Sequence, residues 1–179
     1  MPQQQWHSLE ALYTITSNEG KRLLTKLHAL LTIESLTQGL EALDPQFNVN
    51  LLSLKESDDY YSEILIKPRK LCRKVFLELS GEAMIYAESL CDLEAKACCE
   101  YLNCGTTSLG RRLFSGNTLE RSEFSYAIFK VQALPMVIQK RLQPSSEIIC
   151  ARRSHFILEE APLLITEWYL PALLLKGEY

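Results

Sequence analysis

One carboxylate, Glu167, stands inside an otherwise apolar run near the end of the chain, APLLITEWYLPALLL at residues 161–175. If this run is a strand, its side chains alternate between two faces, and neither face has the pattern of a solvated surface. An ionised carboxylate that is buried without a partner costs roughly several kcal/mol. Glu167 is therefore expected to pair with a cation, to hold a proton, or to line a polar cavity.

A second charge, Arg73, has a similar setting in CRKVFLELSGEAMIYAESL at residues 72–90. In the first strand of this segment, Arg73 shares a face with Val75, Leu77 and Leu79. Three interpretations stay open on the pattern alone. The two charges form a buried structural ion pair, or Arg73 reaches solvent from the end of its strand, or both line one functional pocket.

The elements that must position these charges are helices at the front of the chain and strands after residue 47. Leucines at helical spacing behind a Ser17/Asn18 cap predict the first helix. Helices are predicted at 17–35, 35–43, 92–105 (with an Asp92 cap and a Gly105 stop) and 135–143, and a short helix or tight turn at 108–114. Strands are predicted at 47–55, 72–79, 82–90, 122–132, 147–158 and 162–170. The second and third strands form a hairpin over Ser80–Gly81, and the last two form a hairpin across Glu159–Ala161. Without strand–helix–strand alternation, this order indicates an α+β fold with an antiparallel sheet.

The bulk properties indicate one globular domain over residues 1–179 and exclude some classes of partner. The 179 residues carry a net charge of -3 and no lysine or arginine run, which argues against nucleic-acid binding. No stretch approaches the roughly 18 to 20 apolar residues of a membrane span, and the first residues lack a signal-peptide pattern. We expect a cytoplasmic protein.

The cysteines are expected to be free thiols. The chain has six of them, with no CxxC pair. The cluster CCEYLNC at 98–104 invites a zinc interpretation, but no second cysteine or histidine pair follows at finger spacing. We therefore predict no metal site.

Four segments, in order along the chain, resemble the chorismate pyruvate-lyase family. RRSHFILEEAPLLITEWYLPA (152–172) is similar to the family's carboxy-terminal signature, and SLGRRLFSGNTLERSEF (108–124) to its PLG-x-x-LF segment with a following L-x-R. CRKVFLELSGEAMIYAESL resembles its R-x-V/I-x-L strand, G-E turn and return strand, and IESLTQGLE (33–41) resembles its amino-terminal segment. The sequence YAESL in the return strand is most similar to that of the family branch found in cyanobacteria, plastids and archaea.

This resemblance implies an enzyme that splits chorismate into 4-hydroxybenzoate and pyruvate without a metal or organic cofactor. It implies a six-stranded antiparallel sheet flanked by helices, with the ligand enclosed under helical flaps. The partners would be the small-molecule substrate and product, and the chain would be a monomer. The branch resemblance suggests quinone precursor synthesis, in the cytoplasm or the plastid stroma.

The family's binding residues carry over to four positions. Its strand arginine matches Arg73, its glutamate Glu167, its PLG leucine Leu109, and its amino-terminal methionine Leu36. Ser108 stands where the family has proline. The resemblance suggests that Arg73 binds the ring carboxylate and that Leu109 acts through its backbone N–H. Glu167 suits the ring hydroxyl or the hydrogen on the carbon that bears it, as a general base or as an orienting group.

Two questions stay open in the sequence. Arg152 and Arg153 are adjacent on a strand, so only one can face the pocket, where it would bind the second carboxylate of the substrate. Arg111 and Arg112 are likewise either surface residues or candidates to bind that carboxylate. The competing class of function is a non-catalytic domain of the same fold that binds or senses a small aromatic acid, since a fold does not fix a function.

Overall fold

The computed structural model describes residues 5–57, 69–114, 120–142 and 147–176, and within these ranges an antiparallel sheet carries the helices. The strands are β1 (Phe47–Ser57), β2 (Lys70–Leu79), β3 (Glu82–Asp92), β4 (Glu120–Arg121), β5 (Ser125–Lys130), β6 (Ile148–Leu158) and β7 (Ala161–Tyr169). The helices are α1 (Leu9–Ile15), α2 (Asn18–Thr32), α3 (Leu36–Leu43), α4 (Lys96–Leu102), α5 (Leu109–Phe114), α6 (Met136–Gln139) and α7 (Pro171–Leu174). Residues 115–119 of the family-like segment 108–124 lie outside the described residues.

The predicted α+β class with an antiparallel sheet is confirmed, but the expected count of six strands is wrong. The described ranges contain seven strands in the order β1-β2-β3-β7-β6-β4, with β5 also beside β6. One edge of β6 pairs first with β5, through residues 148–153, and then with β4, through residues 156–157. The sixth position of the sheet is thus occupied by two strands in succession. β4 has only two residues, which is too short to produce an alternation signal.

Both predicted hairpins are present, and each has a two-residue turn with positive φ angles. Ser80 and Gly81 have φ of 50° and 79° between β2 and β3, and Glu159 and Glu160 have 47° and 67° between β6 and β7. Two successive left-handed residues are typical of the type I′ turn, whose twist matches that of the flanking strands. These turns fix the register of the strands that carry Arg73 and Glu167.

The helix predictions hold for α2, α3 and α5, and fail in detail elsewhere. Ser17 caps α2 as predicted, accepting a hydrogen bond from the Gly20 N–H at 3.2 Å. The prediction that Asp92 caps a helix is wrong. Asp92 ends β3 and accepts a hydrogen bond from the Glu94 N–H at 3.0 Å. α4 begins after Ala95, three residues later than a cap at Asp92 would place it. The competing bond within the turn delays the helix.

The core has two main layers, one on each face of the sheet. On one face, the leucine stripe of α2 packs against the sheet, and Leu24, Leu27 and Leu31 are almost fully buried there. Burying each such side chain contributes roughly 1.5–3 kcal/mol. On the other face, Phe76, Tyr86 and Trp168 form an aromatic cluster beneath α6. The polar cavity lies on the α2 side.

The two hairpin turns allow a matched stability test. Gly81→Ala is expected to lower the free energy of unfolding by about 1 kcal/mol, because alanine is strained at this φ and an added Cβ would contact nothing within 4 Å. Glu160→Gly removes the same type of strain and is expected to raise the free energy of unfolding by up to about 1 kcal/mol. Urea unfolding of both variants measures the effect, and a loss of stability in Glu160→Gly would contradict the strain argument.

Candidate active site

A cavity lies between the inner face of the sheet and the helices α3 and α5. It holds about 560 Å³ of space that atoms do not fill, part of it open to solvent. Cross-strand pairing aligns two rows of side chains along its floor. Arg73, Ser89, Ile165 and Ser154 form one row across β2, β3, β7 and β6. The second row contains Glu167 next to its register partner Arg152.

Arg73 is a buried cation at this cavity, and it forms no ion pair with a carboxylate of the described residues. Its residue is 2% exposed, and its Nη2 donates to the carbonyl oxygens of Gly105 and Thr107 at 2.9 and 3.1 Å. Its Nε is buried and has no hydrogen-bond partner among the residues that the structure describes. Burial lowers the pKa of the guanidinium, and no carboxylate of the described residues lies within 4.0 Å of it. Such an arrangement favours an anionic ligand.

Glu167 pairs with Arg152, so the hypothesis of an Arg73–Glu167 ion pair is wrong. The Nε of Arg152 donates to Oε2 of Glu167 at 2.7 Å, and their side chains are 2% and 15% exposed. Oε1 accepts no hydrogen bond from the described residues. One oxygen of the carboxylate is thereby fixed by the protein, while the other is available at the cavity.

Arg152 also closes the carboxyl end of α2. Its Nη1 donates to the carbonyl oxygens of Ile33, Leu31 and Leu30 at 2.7, 3.2 and 3.4 Å. A cation at this end of a helix interacts favourably with the helix dipole and with carbonyls that lack helical partners. Burial alone would lower the pKa of Arg152, but the charge of Glu167 outweighs it and the net pKa is raised. The guanidinium therefore stays charged.

Two tyrosines complete the network around the end of α2. The hydroxyl of Tyr126 donates to the carbonyl of Leu31 at 3.0 Å, and that of Tyr169 to the carbonyl of Leu30 at 3.1 Å. Burial raises the pKa of both phenols, so both remain neutral donors. The sheet thus holds the helix layer through hydrogen bonds as well as through leucine packing.

The structure separates the four arginines that the sequence left open. Arg152 lines the cavity, whereas Arg153 lies over the ring of Trp6, with its guanidinium carbon 4.0 Å from the centroid, on the opposite face of the sheet. Arg111 forms an ion pair with Glu41, and Arg112 donates to the carbonyl of Glu100 at 3.0 Å. Neither Arg111 nor Arg112 lines the cavity.

Leu109 and Leu36 are the first residues of α5 and α3, and both line the cavity. As the first residue of its helix, Leu109 has an N–H without an intrahelical acceptor. The two helices are tied together by Ser108, whose hydroxyl lies 2.5 Å from that of Thr37 and accepts from the Arg111 N–H at 3.3 Å. The serine that replaces the family proline thus caps α5 and joins it to α3.

Sequence reasoning missed several residues that line the cavity, among them Ser89, Ser154, Arg121 and Phe124. The strand register was the signal for the serines, because Ser89 lies directly opposite Arg73. Arg121 lies in the two-residue strand β4, and its only signal was the L-x-R of the family-like segment.

All six cysteines are free thiols. Burial raises the pKa of Cys98 to about 11. Within the described ranges, no group of three or more His, Cys, Asp or Glu side chains is arranged to hold a metal ion. The same ranges contain no helix with the length and apolar character that crossing a membrane requires.

Comparisons with known proteins identify relatives of the whole chain. A family model described as chorismate lyase matches residues 21–178. A "Probable chorismate pyruvate-lyase" of Psychromonas ingrahamii is 31% identical over 156 residues, which cover 80% of this chain and 81% of that protein. The protein of the same name from Shewanella loihica is 25% identical over 170 residues, covering 93% and 87%.

Solved structures with a similar fold include regulators. The "possible transcriptional regulator YydK" from Bacillus subtilis superposes with a TM-score of 0.55 at 16% identity, over 97% of this chain and 88% of that one. PhnF from Mycobacterium smegmatis gives a TM-score of 0.55 at 11% identity, over 96% and 90%. At these identities, the likeness concerns the fold alone.

The two buried arginines have different partners, so replacing each of them is expected to change the free energy of unfolding by a different amount. Arg152→Met is expected to lower the free energy of unfolding by about 3–5 kcal/mol, because it leaves the Glu167 carboxylate without its cation. Arg73→Met removes an uncompensated buried charge, and water can reach the exposed Gly105 and Thr107 that lose its hydrogen bonds. This variant is expected to lose less than about 1 kcal/mol or to gain stability. Chemical denaturation compares the two, and equal losses would contradict this division.

Proposed function

The chain belongs to the chorismate lyase family, and we propose that it is a chorismate pyruvate-lyase that cleaves chorismate into 4-hydroxybenzoate and pyruvate. The family membership supports a lyase, and the proposal adds the particular substrate and products. It also assigns roles to the residues of the cavity. The 4-hydroxybenzoate would serve as a quinone precursor.

The observation that carries the proposal is the buried Arg73, which no carboxylate of the described part of the chain compensates. Keeping such a charge desolvated is unfavourable unless a ligand compensates for it. A benzoate-type carboxylate compensates well, because two parallel N–H···O bonds match its geometry. We assign Arg73 to the ring carboxylate, which is present in chorismate and in 4-hydroxybenzoate alike. The free N–H of Leu109 is the proposed second donor at the ligand, and Leu36 the proposed apolar wall from α3.

Glu167 is assigned to the ring hydroxyl. With Oε2 held by Arg152, Oε1 is the atom that can accept a hydrogen bond from that hydroxyl. In the reaction, the carbon that bears the hydroxyl loses its hydrogen, and the ether bond between the ring and the enolpyruvyl oxygen breaks. The hydrogen ends on the methylene carbon, which becomes the methyl group of pyruvate. Atoms and electrons balance within the substrate.

The fixed position of Glu167 supports an orienting role and an internal transfer of the hydrogen. Aromatisation of the ring supplies much of the driving force, so the protein has mainly to align the ether and exclude water. The cavity between α3, α5 and the sheet suits that task, because only part of it is open to solvent.

A second candidate function is binding without catalysis. The fold likeness to a possible transcriptional regulator is the observation that raises this candidate, since a fold does not fix a function. Incubating the protein with chorismate and measuring both products separates the two. One-to-one formation of pyruvate and 4-hydroxybenzoate supports the lyase, whereas tight binding of 4-hydroxybenzoate without pyruvate formation supports the binding domain.

Variants of Arg73 and Glu167 are expected to affect different quantities, ligand binding for Arg73 and kcat for Glu167. Arg73→Ala should weaken binding of both chorismate and 4-hydroxybenzoate by roughly 2–5 kcal/mol, the range for removing one partner of a buried charge pair. Glu167→Gln keeps the shape and the hydrogen bonding of the side chain. A loss of kcat below tenfold would therefore indicate that Glu167 orients the substrate. A loss of about two to four powers of ten would indicate general base catalysis and contradict the orienting role.

The enclosed site also predicts inhibition by the product. Because 4-hydroxybenzoate keeps the carboxylate and the hydroxyl that Arg73 and Glu167 would bind, its release should be slow. Progress curves with 4-hydroxybenzoate added in excess over the enzyme should show reduced rates, while added pyruvate should have a weaker effect. Unchanged curves with 4-hydroxybenzoate would count against an enclosed product site.

A further inference from the structure

We propose that two serines of the cavity floor, Ser89 and Ser154, bind different parts of the substrate. Ser89 donates a hydrogen bond to the ring carboxylate beside Arg73. Ser154 donates one to the carboxylate of the enolpyruvyl side chain, the part of chorismate that leaves as pyruvate. The inference rests on the proposed function, because it assigns two hydroxyls to parts of that substrate. Ser154 would distinguish substrate from product, since 4-hydroxybenzoate lacks the enolpyruvyl group.

Both serines are buried and line the cavity. Ser89 is 3% exposed and Ser154 is 6% exposed. Neither hydroxyl forms a hydrogen bond with a residue of the described ranges. Removing a hydroxyl from water without giving it a partner is unfavourable, and most buried side-chain polar atoms have one. Two such hydroxyls on one cavity floor indicate a surface that suits a polar ligand.

Other polar side chains of the same cavity are already bound by the protein. The hydroxyls of Thr37 and Ser108 lie 2.5 Å apart and join α3 to α5. Arg152 donates to Glu167 at 2.7 Å and joins β6 to β7. The hydroxyls of the two floor serines join no elements in the part of the chain that the structure describes. A structural role therefore does not account for them.

The strand register assigns Ser89 to the ring carboxylate. Ser89 lies directly opposite Arg73 across β2 and β3, and opposite residues of an antiparallel pair have Cβ atoms about 5 Å apart. The Nη2 of Arg73 is held by the carbonyls of Gly105 and Thr107, whereas Nε, which is nearer the sheet, has no partner among the described residues. A carboxylate that accepts from Nε can also accept from the Ser89 hydroxyl.

The orientation of the ring places the enolpyruvyl group beside Glu167. In the proposed binding mode, the ring carboxylate lies at Arg73 and the ring hydroxyl at Glu167. The enolpyruvyl ether is attached to the ring carbon next to the one that bears the hydroxyl. The side chain therefore extends to one of the two sides of the line that joins Arg73 to Glu167.

The residues of the floor differ between these two sides. On one side lie Val75 and Ala87, in the same register row as Glu167. On the other side lie Ile165 and Ser154, in the same row as Arg73. Of these four residues, Ser154 alone has a polar side chain. A carboxylate is accommodated better beside a hydroxyl donor than over two apolar side chains.

The position of Ser154 also suits the outer end of the substrate. It lies one strand spacing and a two-residue step from Glu167, about 8 Å between Cα atoms. From Arg73 it is three strand spacings away, about 14 Å. The two serines are thus close to opposite ends of the ligand.

The test compares substrate and product in two variants, each of which is the control for the other. Ser154→Ala is expected to lower kcat/KM for chorismate by about 10- to 100-fold, the equivalent of one hydrogen bond to a charged group. The dissociation constant of 4-hydroxybenzoate, measured by titration calorimetry, should change less than about twofold. Ser89→Ala is expected to weaken both ligands by similar factors, because both contain the ring carboxylate.

Three results would overturn the proposal. Equal weakening of chorismate and 4-hydroxybenzoate in Ser154→Ala would remove the assignment of Ser154. A loss confined to chorismate in Ser89→Ala would remove that of Ser89. Unchanged values for both ligands in either variant would show that the hydroxyl concerned does not bind the ligand.

Urea unfolding of the ligand-free variants separates binding from structure. Removing a buried hydroxyl that has no partner should leave the unfolding midpoint unchanged or raise it in Ser89→Ala and Ser154→Ala. Ser108→Ala is the matched control and should lower the midpoint, because this hydroxyl bonds to Thr37 and caps α5. A lower midpoint in a floor-serine variant would mark a structural hydroxyl and overturn the assignment of that serine.

Failure of the proposed function would look different. If the wild-type protein binds chorismate and 4-hydroxybenzoate but forms no pyruvate, the lyase activity is refuted. The dissociation constant of chorismate then replaces kcat/KM in the same comparison of Ser154→Ala with Ser89→Ala. A loss confined to chorismate in Ser154→Ala still supports the subsite, and an equal loss for both ligands overturns it. A wild-type protein that binds neither ligand refutes both proposals.

Discussion

The ion pair between Arg152 and Glu167 is the interaction on which the cavity depends. Arg152 lies on β6, contacts Glu167 on β7 and donates to the last carbonyls of α2, so one guanidinium joins two strands to the helix layer. Buried charges are unfavourable unless every partner is in place, and here the carboxylate and the carbonyls are the partners. Because α3 follows the end of α2 directly, the same guanidinium positions the sheet and the helix that together enclose the cavity.

Partners, more than residue type, decide what each arginine of the cavity can do. Arg152 and Arg73 are equally buried, but Glu167 compensates the charge of Arg152, whereas no carboxylate in the described ranges compensates that of Arg73. The first is thereby a structural charge and the second is available to a ligand. Arg121 is intermediate, held by a carbonyl and an aromatic ring and close to an exposed carboxylate. An apo protein tolerates one uncompensated buried cation because the rest of the core, including the leucine face of α2, offsets its unfavourable contribution.

The period-two pattern predicted both hairpins and placed Arg73 and Glu167 on apolar faces of their strands, β2 and β7, which lie on either side of β3. A shared cavity was one of three interpretations that this pattern left open, and the family resemblance favoured it. It could not identify the partner of Glu167, because that depends on the pairing of β6 with β7 across the Glu159–Glu160 turn. A one-residue change in register would have put Arg153 on the cavity side instead of Arg152. Arg121 was beyond prediction for another reason: β4 is held by its neighbour β6, and two residues carry no periodic signal.

The likeness to a possible transcriptional regulator concerns the fold alone, so the function of this chain has to be argued from the residues of its cavity. Retaining an aromatic acid requires a deep cation and a group for the hydroxyl, which are the roles proposed for Arg73 and Glu167. Cleavage requires in addition that the departing side chain be held in line with the ring until the ether bond breaks.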